Sequence, residues 1–330
     1  ILIVEQNAPI TVLSSSLKNL SLYLEQYHGV KPIVLIDEYD APVHSGYEYG
    51  YYDKVIDFIR SFLGAGLKDN IALNFCVITG ILRIAKESIF SGLNNVVVYS
   101  LIHNKYAESF GFTQTEVDEF LKVYDLIELS DEIKRWYNGY TIGDNTEIYN
   151  PWSIINFVNN RELAPYWLNT SDNVLIKKLV TQSPPEVKQE FELLLTGHVI
   201  EKKLSESIVL TSLEREEGTL WSLLLQTGYL SCKEIFLKGR VLTAYLCIPN
   251  EEVRSFYDDL IEYWMTSNSS AFTYLNMLSA LTSGQIESFK DYFTAVLLNS
   301  VGLFDTGGRE AEKFYHALVL GDARQFIRNA

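Results

Sequence analysis

The sequence predicts an α/β protein built on a parallel sheet, and three observations carry that prediction. Two apolar runs, Ile33-Val34-Leu35-Ile36 and Ile71-Ala72-Leu73-Asn74-Phe75-Cys76-Val77-Ile78, lack polar alternation, as strands covered on both faces do. Between them a stretch over 53–63 places Val55, Ile56, Ile59, Phe62 and Leu63 at helical spacing. Each run ends in polar residues, Asp37-Glu38 after the first and Thr79-Gly80 after the second, and ligands of such sheets sit at the carboxyl ends of the strands.

Composition bounds the rest. The chain has 330 residues, 47% of them hydrophobic, enough for a large core and about two domains. Its 42 acids outnumber 27 bases, a net charge of −15 that repels polyanions and argues against broad coating by nucleic acid. Cys76, Cys232 and Cys247 lie far apart in or beside apolar runs, as reduced core thiols of a cytoplasmic protein do. The five histidines show no metal-ligand spacing. No apolar stretch reaches membrane-spanning length, so no membrane partner is expected. The chain opens Ile1-Leu2-Ile3-Val4 without an initiator Met and reads as cut from something longer.

In chain order, Ser14-Ser15-Ser16 offers an N-cap to a helix over 14–27, with Leu17, Leu20, Leu24 and Tyr27 on its stripe and Gly29 at its end. Strand 33–37 follows Pro32. Turn residues Pro42, Gly46 and Gly50 predict a loop over 41–52, and Gly64 and Gly66 stop the helix that begins at Asp53. The second strand runs over 71–80.

The acids after the first strand admit two readings. In one, Asp37 holds a hydrated Mg²⁺ and Glu38 polarises a water for attack on a γ-phosphate, the arrangement of a Walker B motif. In the other, a buried strand exits into a solvated acidic turn. Thr79, beside Asp37 on the neighbouring strand, either senses the γ-phosphate or caps a strand end. Arg83 either contacts phosphate charge or forms a surface ion pair.

Further on, Thr113-Gln114-Thr115-Glu116 is a capping box opening a helix with Val117, Phe120, Leu121 and Tyr124 on one stripe. Helix 131–137 precedes the turn pair Asn138-Gly139, and Asn150-Pro151 starts a helix through Val158. The aromatics Trp136, Tyr137, Tyr140, Tyr149, Trp152, Tyr166 and Trp167 suit either the packing of a small helical subdomain or a platform for stacked bases. Ser183-Pro184-Pro185 reads as a linker into a charged helix. A compact helix over 221–226 and a hairpin of 229–236 and 240–248, turning at Leu237-Lys238-Gly239, have the outline of a winged helix. Helices at 251–265, 271–281, 285–299 and 309–320 complete the chain.

Several strings in order resemble one family. Leu35-Ile36-Asp37-Glu38-Tyr39-Asp40-Ala41-Pro42, Thr79-Gly80-Ile81-Leu82-Arg83-Ile84 and Ser88-Ile89-Phe90-Ser91-Gly92-Leu93-Asn94-Asn95 are similar to the bacterial AAA-ATPase-like proteins. So are Arg135-Trp136-Tyr137-Asn138-Gly139-Tyr140, Tyr149-Asn150-Pro151-Trp152-Ser153-Ile154, Thr227-Gly228-Tyr229-Leu230 and Glu312-Lys313-Phe314-Tyr315-His316. The resemblance implies ATP and Mg²⁺ as cofactors. It assigns Asp37 to the metal, Glu38 to the attacking water and Thr79 to the sensor position, in a nucleotide-dependent switch coupled to a C-terminal PD-(D/E)XK nuclease-like module. The sequence departs from the family at both ends. No Gly-Lys-Ser or Gly-Lys-Thr occurs, so the phosphate-cradling loop is not in it, and the nuclease strands are missing after His316. Glu312 either matches an acid on the nuclease's first helix or lies on a solvated helix face.

The expected architecture is thus an incomplete parallel-sheet P-loop NTPase-like core at 1–112, a helical lid at 113–180, and winged-helix-like α+β segments at 181–330. Expected partners are ATP, DNA or RNA through the C-terminal module, and a protein. Two rival functions stand beside the ATPase: a pseudo-ATPase scaffold or interaction protein, and a nucleic-acid-binding module using Lys233, Lys238 and Arg240 on the hairpin.

Overall fold

The computed structural model describes residues 8–81, 93, 96–144, 146–168, 173–181, 183–206, 208, 217–267 and 271–300. The chain divides into two compact units, one of 1–100 with 203–227 and one of 101–202 with 228–330.

In the first unit, α1 (Ile10–Ser14) and α2 (Ser16–His28) lead into β1 (Ile33–Ile36), followed by α3 (Ala41–Glu48), α4 (Tyr52–Leu67) and β2 (Phe75–Ile78). As expected, Gly29 ends α2: it takes a φ of 69° and donates its N–H to Glu25 O at 2.8 Å. The strands pair in parallel with Ile33 opposite Phe75 and Ile36 opposite Ile78, and α4 supplies the crossover.

Four expectations need correction here. The strands are not covered on both faces: among the described residues the sheet has two strands, and Ile33, Leu35, Phe75 and Val77 on one of its faces are 51, 74, 50 and 47% exposed. The segment after Asp40 is not a loop but begins with α3. Its Pro42 sits in the first helical turn, where no N–H is needed, and Gly46 is a packing residue. A Cβ at Gly46 would lie 3.2 Å from both Tyr52 Cα and Val55 Cγ2, so the glycine lets α3 and α4 close on each other. Likewise α4 runs through Gly64 and Gly66, and at Gly66 a Cβ would come within 2.6 Å of Leu17 Cδ2 on α2. The stripe predicted for α2 is only partly used: Leu17 packs, whereas Leu20, Leu24 and Tyr27 are exposed.

The second unit begins with α5 (Gln114–Val123) and α6 (Ser130–Tyr137), then the hairpin β3 (Tyr140–Ile142) and β4 (Thr146–Ile148), then α7 (Pro151–Asn160). The capping box forms as read: Glu116 N donates to Thr113 Oγ1 at 3.3 Å, and Thr113 N to Glu116 Oε2 at 2.8 Å. Replacing Thr113 by Ala should lower unfolding stability by about 1 kcal/mol, checked by denaturant titration. Asn150 caps α7 through Trp152 N at 2.9 Å. These helices bury one cluster, in which Val117, Leu121, Ile133, Tyr137, Tyr149, Ile154 and Phe157 are at most 1% exposed. The aromatics therefore serve packing, Tyr137 and Tyr149 fully; Trp152 stays half exposed.

Then follow α8 (Val174–Thr181), α9 (Pro185–Leu195) and β5 (Ile200–Lys203), with α10 (Glu217–Gln226) belonging to the first unit. The predicted hairpin forms as β6 (Ser231–Lys238) and β7 (Val241–Cys247), turning at Gly239 with φ 69°. β5, which sequence reading missed, makes it a three-stranded sheet in the order β5-β7-β6. The helices α11 (Glu251–Ser267), α12 (Ala271–Thr282) and α13 (Ile286–Ser300) finish the described chain, and the helix expected at 309–320 lies outside it. Cys232 and Cys247 are buried free thiols and Cys76 is half-buried, each with its thiol pKa pushed up by burial. Among the described residues no helix is long and apolar enough to cross a membrane.

Candidate functional site

The site forms where the two parallel strands end side by side. Strand pairing continues past β1 and β2, with Thr79 N donating to Ile36 O at 2.8 Å and Tyr39 N to Thr79 O at 3.0 Å. This ladder sets Asp37 next to Thr79 by register alone, as a parallel pair of equal reach requires. The Thr79 hydroxyl donates to Asp37 Oδ1, and Glu38 N donates to the same oxygen at 3.1 Å while lying 3.4 Å from Thr79 Oγ1.

Glu38 carries a φ of 50°, a left-handed conformation that a residue with a side chain adopts at a cost of about 1–3 kcal/mol. The chain must leave the strand and enter α3 within a few residues, and this one left-handed step makes the turn. Ala41 N then donates to Glu38 O at 3.0 Å, and Val43 N and His44 N to Asp40 O at 2.9 and 3.0 Å. The turn leaves the Asp37 and Glu38 side chains exposed at the lip of the sheet.

Beneath them lies a floor that sequence reading did not assign. Tyr39 and Asp40 are 9% and 2% exposed, and Asp40 Oδ2 is 3.4 Å from His44 Nε2 one helical turn on. Gly80 crosses over this pair. A Cβ there would lie 2.6 Å from both Asp40 Oδ1 and the Tyr39 ring, so any larger residue would lift the Thr79 strand end away from Asp37. The available signal was the spacing Asp40-x-x-x-His44 with a glycine directly after Thr79.

The donor set suits a hard, hydrated cation. Asp37 Oδ1 is occupied by two donors, and Asp37 Oδ2 has no hydrogen-bond partner among the described residues. One carboxylate with an adjacent hydroxyl is what a Mg²⁺ ion that keeps most of its waters needs. Among the described residues no cluster of three or more His, Cys, Asp or Glu forms a denser metal cage. The structure thus brings Asp37, Glu38 and Thr79 together, and Arg83 lies outside the described residues.

The nucleic-acid contacts expected on the C-terminal hairpin are Lys233, Lys238 and Arg240. Lys238 pairs with Glu201, and Lys233 is flanked by Glu234. In α10, the helix before the hairpin, Thr219 to Leu225 are buried and no residue is basic.

Residues 4–90 match the family described as Predicted AAA-ATPase, a stretch that contains Asp37, Glu38, Thr79 and Arg83. The chain is also similar to a curated protein described only as an uncharacterized protein in the vnfD 5'region of Azotobacter chroococcum mcd 1. The two are 29% identical over 236 residues, which cover 71% of this chain and 43% of that one, so the chain spans less than half the relative's length. No solved structure matches the chain.

Proposed function

We propose that this chain, AAA-ATPase-like over residues 4–90, supplies the magnesium- and water-handling side of an ATP-hydrolysing site. The observation that carries the reading is the Asp37–Thr79 hydrogen bond at the carboxyl ends of adjacent parallel strands, with Glu38 turned out beside it. Asp37 would hold a hydrated Mg²⁺ through its second carboxylate oxygen, and the ion would supply charge neutralisation for the phosphates. Glu38, exposed and next in sequence, orients a water and accepts its proton. Thr79 fixes the Asp37 carboxylate by donating to one oxygen, and as the sensor residue it would contact the γ-phosphate. The reading requires a phosphate-cradling loop with its Lys, which these 330 residues do not contain. The hydrolytic cycle is read as a switch on a nuclease-like module, a role taken from the family resemblance.

The test is phosphate release by the full gene product with Mg²⁺ and ATP. Glu38→Gln should lower turnover about 100-fold or more, as loss of a general base does, while leaving nucleotide binding intact. Asp37→Asn should raise the Mg²⁺ concentration needed for half-maximal turnover. Unchanged turnover in both variants removes these residues from the chemistry.

One observation favours a second reading, a scaffold that works through protein contact. The open face of Ile33, Leu35, Phe75 and Val77 is a continuous apolar strip on the two paired strands, of the kind that marks a contact surface. ATP binding without turnover in the full gene product would favour that reading over the ATPase.

A further inference from the structure

Of the three acids that follow β1, Asp37 and Glu38 are exposed and only Asp40 is buried. Asp40 stands at the N-cap of α3, where an aspartate carboxylate ordinarily accepts from an N–H two or three residues on. No such bond forms here. Val43 N and His44 N donate to the Asp40 backbone oxygen instead, and the carboxylate turns inward against the end of the second strand.

Two contacts define its place. Asp40 Oδ1 fills the space beside Gly80, 2.6 Å from where a Cβ of that residue would stand. Asp40 Oδ2 lies 3.4 Å from His44 Nε2, an ion-pair contact with a ring nitrogen that is itself buried and has no hydrogen-bond partner. A buried carboxylate is costly unless a basic group balances it, and the His44 imidazole is the basic group set against this one. Gly80 follows Thr79 directly, and Tyr39, next to Asp40, donates its N–H to Thr79 O at 3.0 Å. Tyr39 thus holds the strand end through the backbone, and Asp40 holds it through side-chain contact one residue further.

We propose that Asp40 is a positioning residue of the strand-end site: its inward carboxylate, paired with His44, seats Gly80 and so keeps the Thr79 hydroxyl on Asp37. Its effect on turnover rests on the ATPase reading, whereas the Thr79–Asp37 contact that it supports is present without nucleotide. A catalytic group displaced by about 1 Å loses about 100-fold in rate, and a support beneath the strand end prevents such a shift. Asp40 acts only through Thr79, since its own carboxylate is buried and out of reach of a ligand.

Amide hydrogen exchange of the 330-residue protein tests the support itself. In Asp40→Ala the amides of Thr79 and Tyr39, which donate to Ile36 O and Thr79 O, should exchange about tenfold faster or more. The amide of Asn74, which donates to Pro32 O at 3.0 Å at the opposite end of the same strands, should be unchanged. Gly80→Ala should loosen the same two amides from the other side of the contact. Equal acceleration at Thr79, Tyr39 and Asn74, or none, overturns the proposal. In the full gene product with Mg²⁺ and ATP, Asp40→Ala should lower kcat about tenfold or more with KM for ATP unchanged. Thr79→Ala should lower kcat as well, and adding Asp40→Ala to that variant should cause no further loss, because both act through one hydroxyl. An additive loss gives Asp40 a role apart from Thr79 and overturns the proposal. A parent without turnover counts against the ATPase reading alone, and the exchange result then decides.

Discussion

Gly139→Ala should be the most damaging single-methyl change in the second unit, lowering unfolding stability by about 3–5 kcal/mol. Gly139 has a φ of 101°, outside the region open to residues with a side chain. A Cβ there would stand 2.2 Å from the Pro249 carbonyl oxygen, which is backbone and cannot swing aside. Conformational strain and overpacking each contribute about 1–3 kcal/mol. Gly239→Ala is the internal control. That glycine also has a positive φ, 69°, but its Cβ would meet nothing within 4 Å, so only the strain remains, about 1 kcal/mol. Chemical denaturation of both variants checks the pair; equal losses would mean that the approach of Gly139 to Pro249 contributes nothing.

These glycines show why sequence reading succeeded in one place and failed in another. Gly29 and Gly239 act locally, through positive φ at a helix end and a hairpin turn, and local action is legible from position in a pattern. Gly46, Gly64 and Gly66 sit inside helices. Gly46 and Gly66 are small because Val55 and Leu17 press on them, contacts that no neighbour in sequence announces. The strand ends were legible for a similar reason: a parallel register with matched run lengths puts Asp37 beside Thr79 before any packing is known. Coverage of the sheet was not. An unbroken apolar run fixes what the strands prefer to touch, and Ile33, Leu35, Phe75 and Val77 show that among the described residues of this unit nothing covers that face. Asp40 and His44 were hidden by the loop expected over 41–52, since only a helix brings residues four apart together. Strand β5 was missed because Ile200-Glu201-Lys202-Lys203 offers a single apolar residue and draws its order from pairing with β7.

Glu252 should make the second unit more stable in mild acid than at neutral pH, the reverse of what an ion-paired carboxylate does. The side chain is fully buried, yet three segments converge on it. Ser153 Oγ on α7 donates to it at 2.8 Å, Trp167 N donates at 2.7 Å, and its own helix is α11. Burial pushes its pKa up to about 7 from an ordinary 4.5; the hydrogen bonds from Trp167, Ser153 and Tyr166 oppose that rise without cancelling it. An acid with a raised folded-state value is disfavoured when charged. Its contribution is therefore fully favourable below about pH 4.5, declines as pH rises from 4.5 to 7, and is constant above. A rise of that size corresponds to about 3 kcal/mol across the window. Glu252→Gln keeps the shape, accepts from Trp167 N through its carbonyl oxygen and donates to Ser153 Oγ, so it should abolish this slope and be the more stable protein at pH 8. Glu252→Ala should instead cost about 3–5 kcal/mol at any pH, because it strands two buried donors and opens a cavity. Denaturant titrations of the three proteins at pH 5 and pH 8 separate the cases. A parallel pH dependence in the parent and the Gln variant would show that Glu252 does not titrate in this window, and that the carboxylate at the junction of α7, α11 and the Trp167 segment is held as a charge.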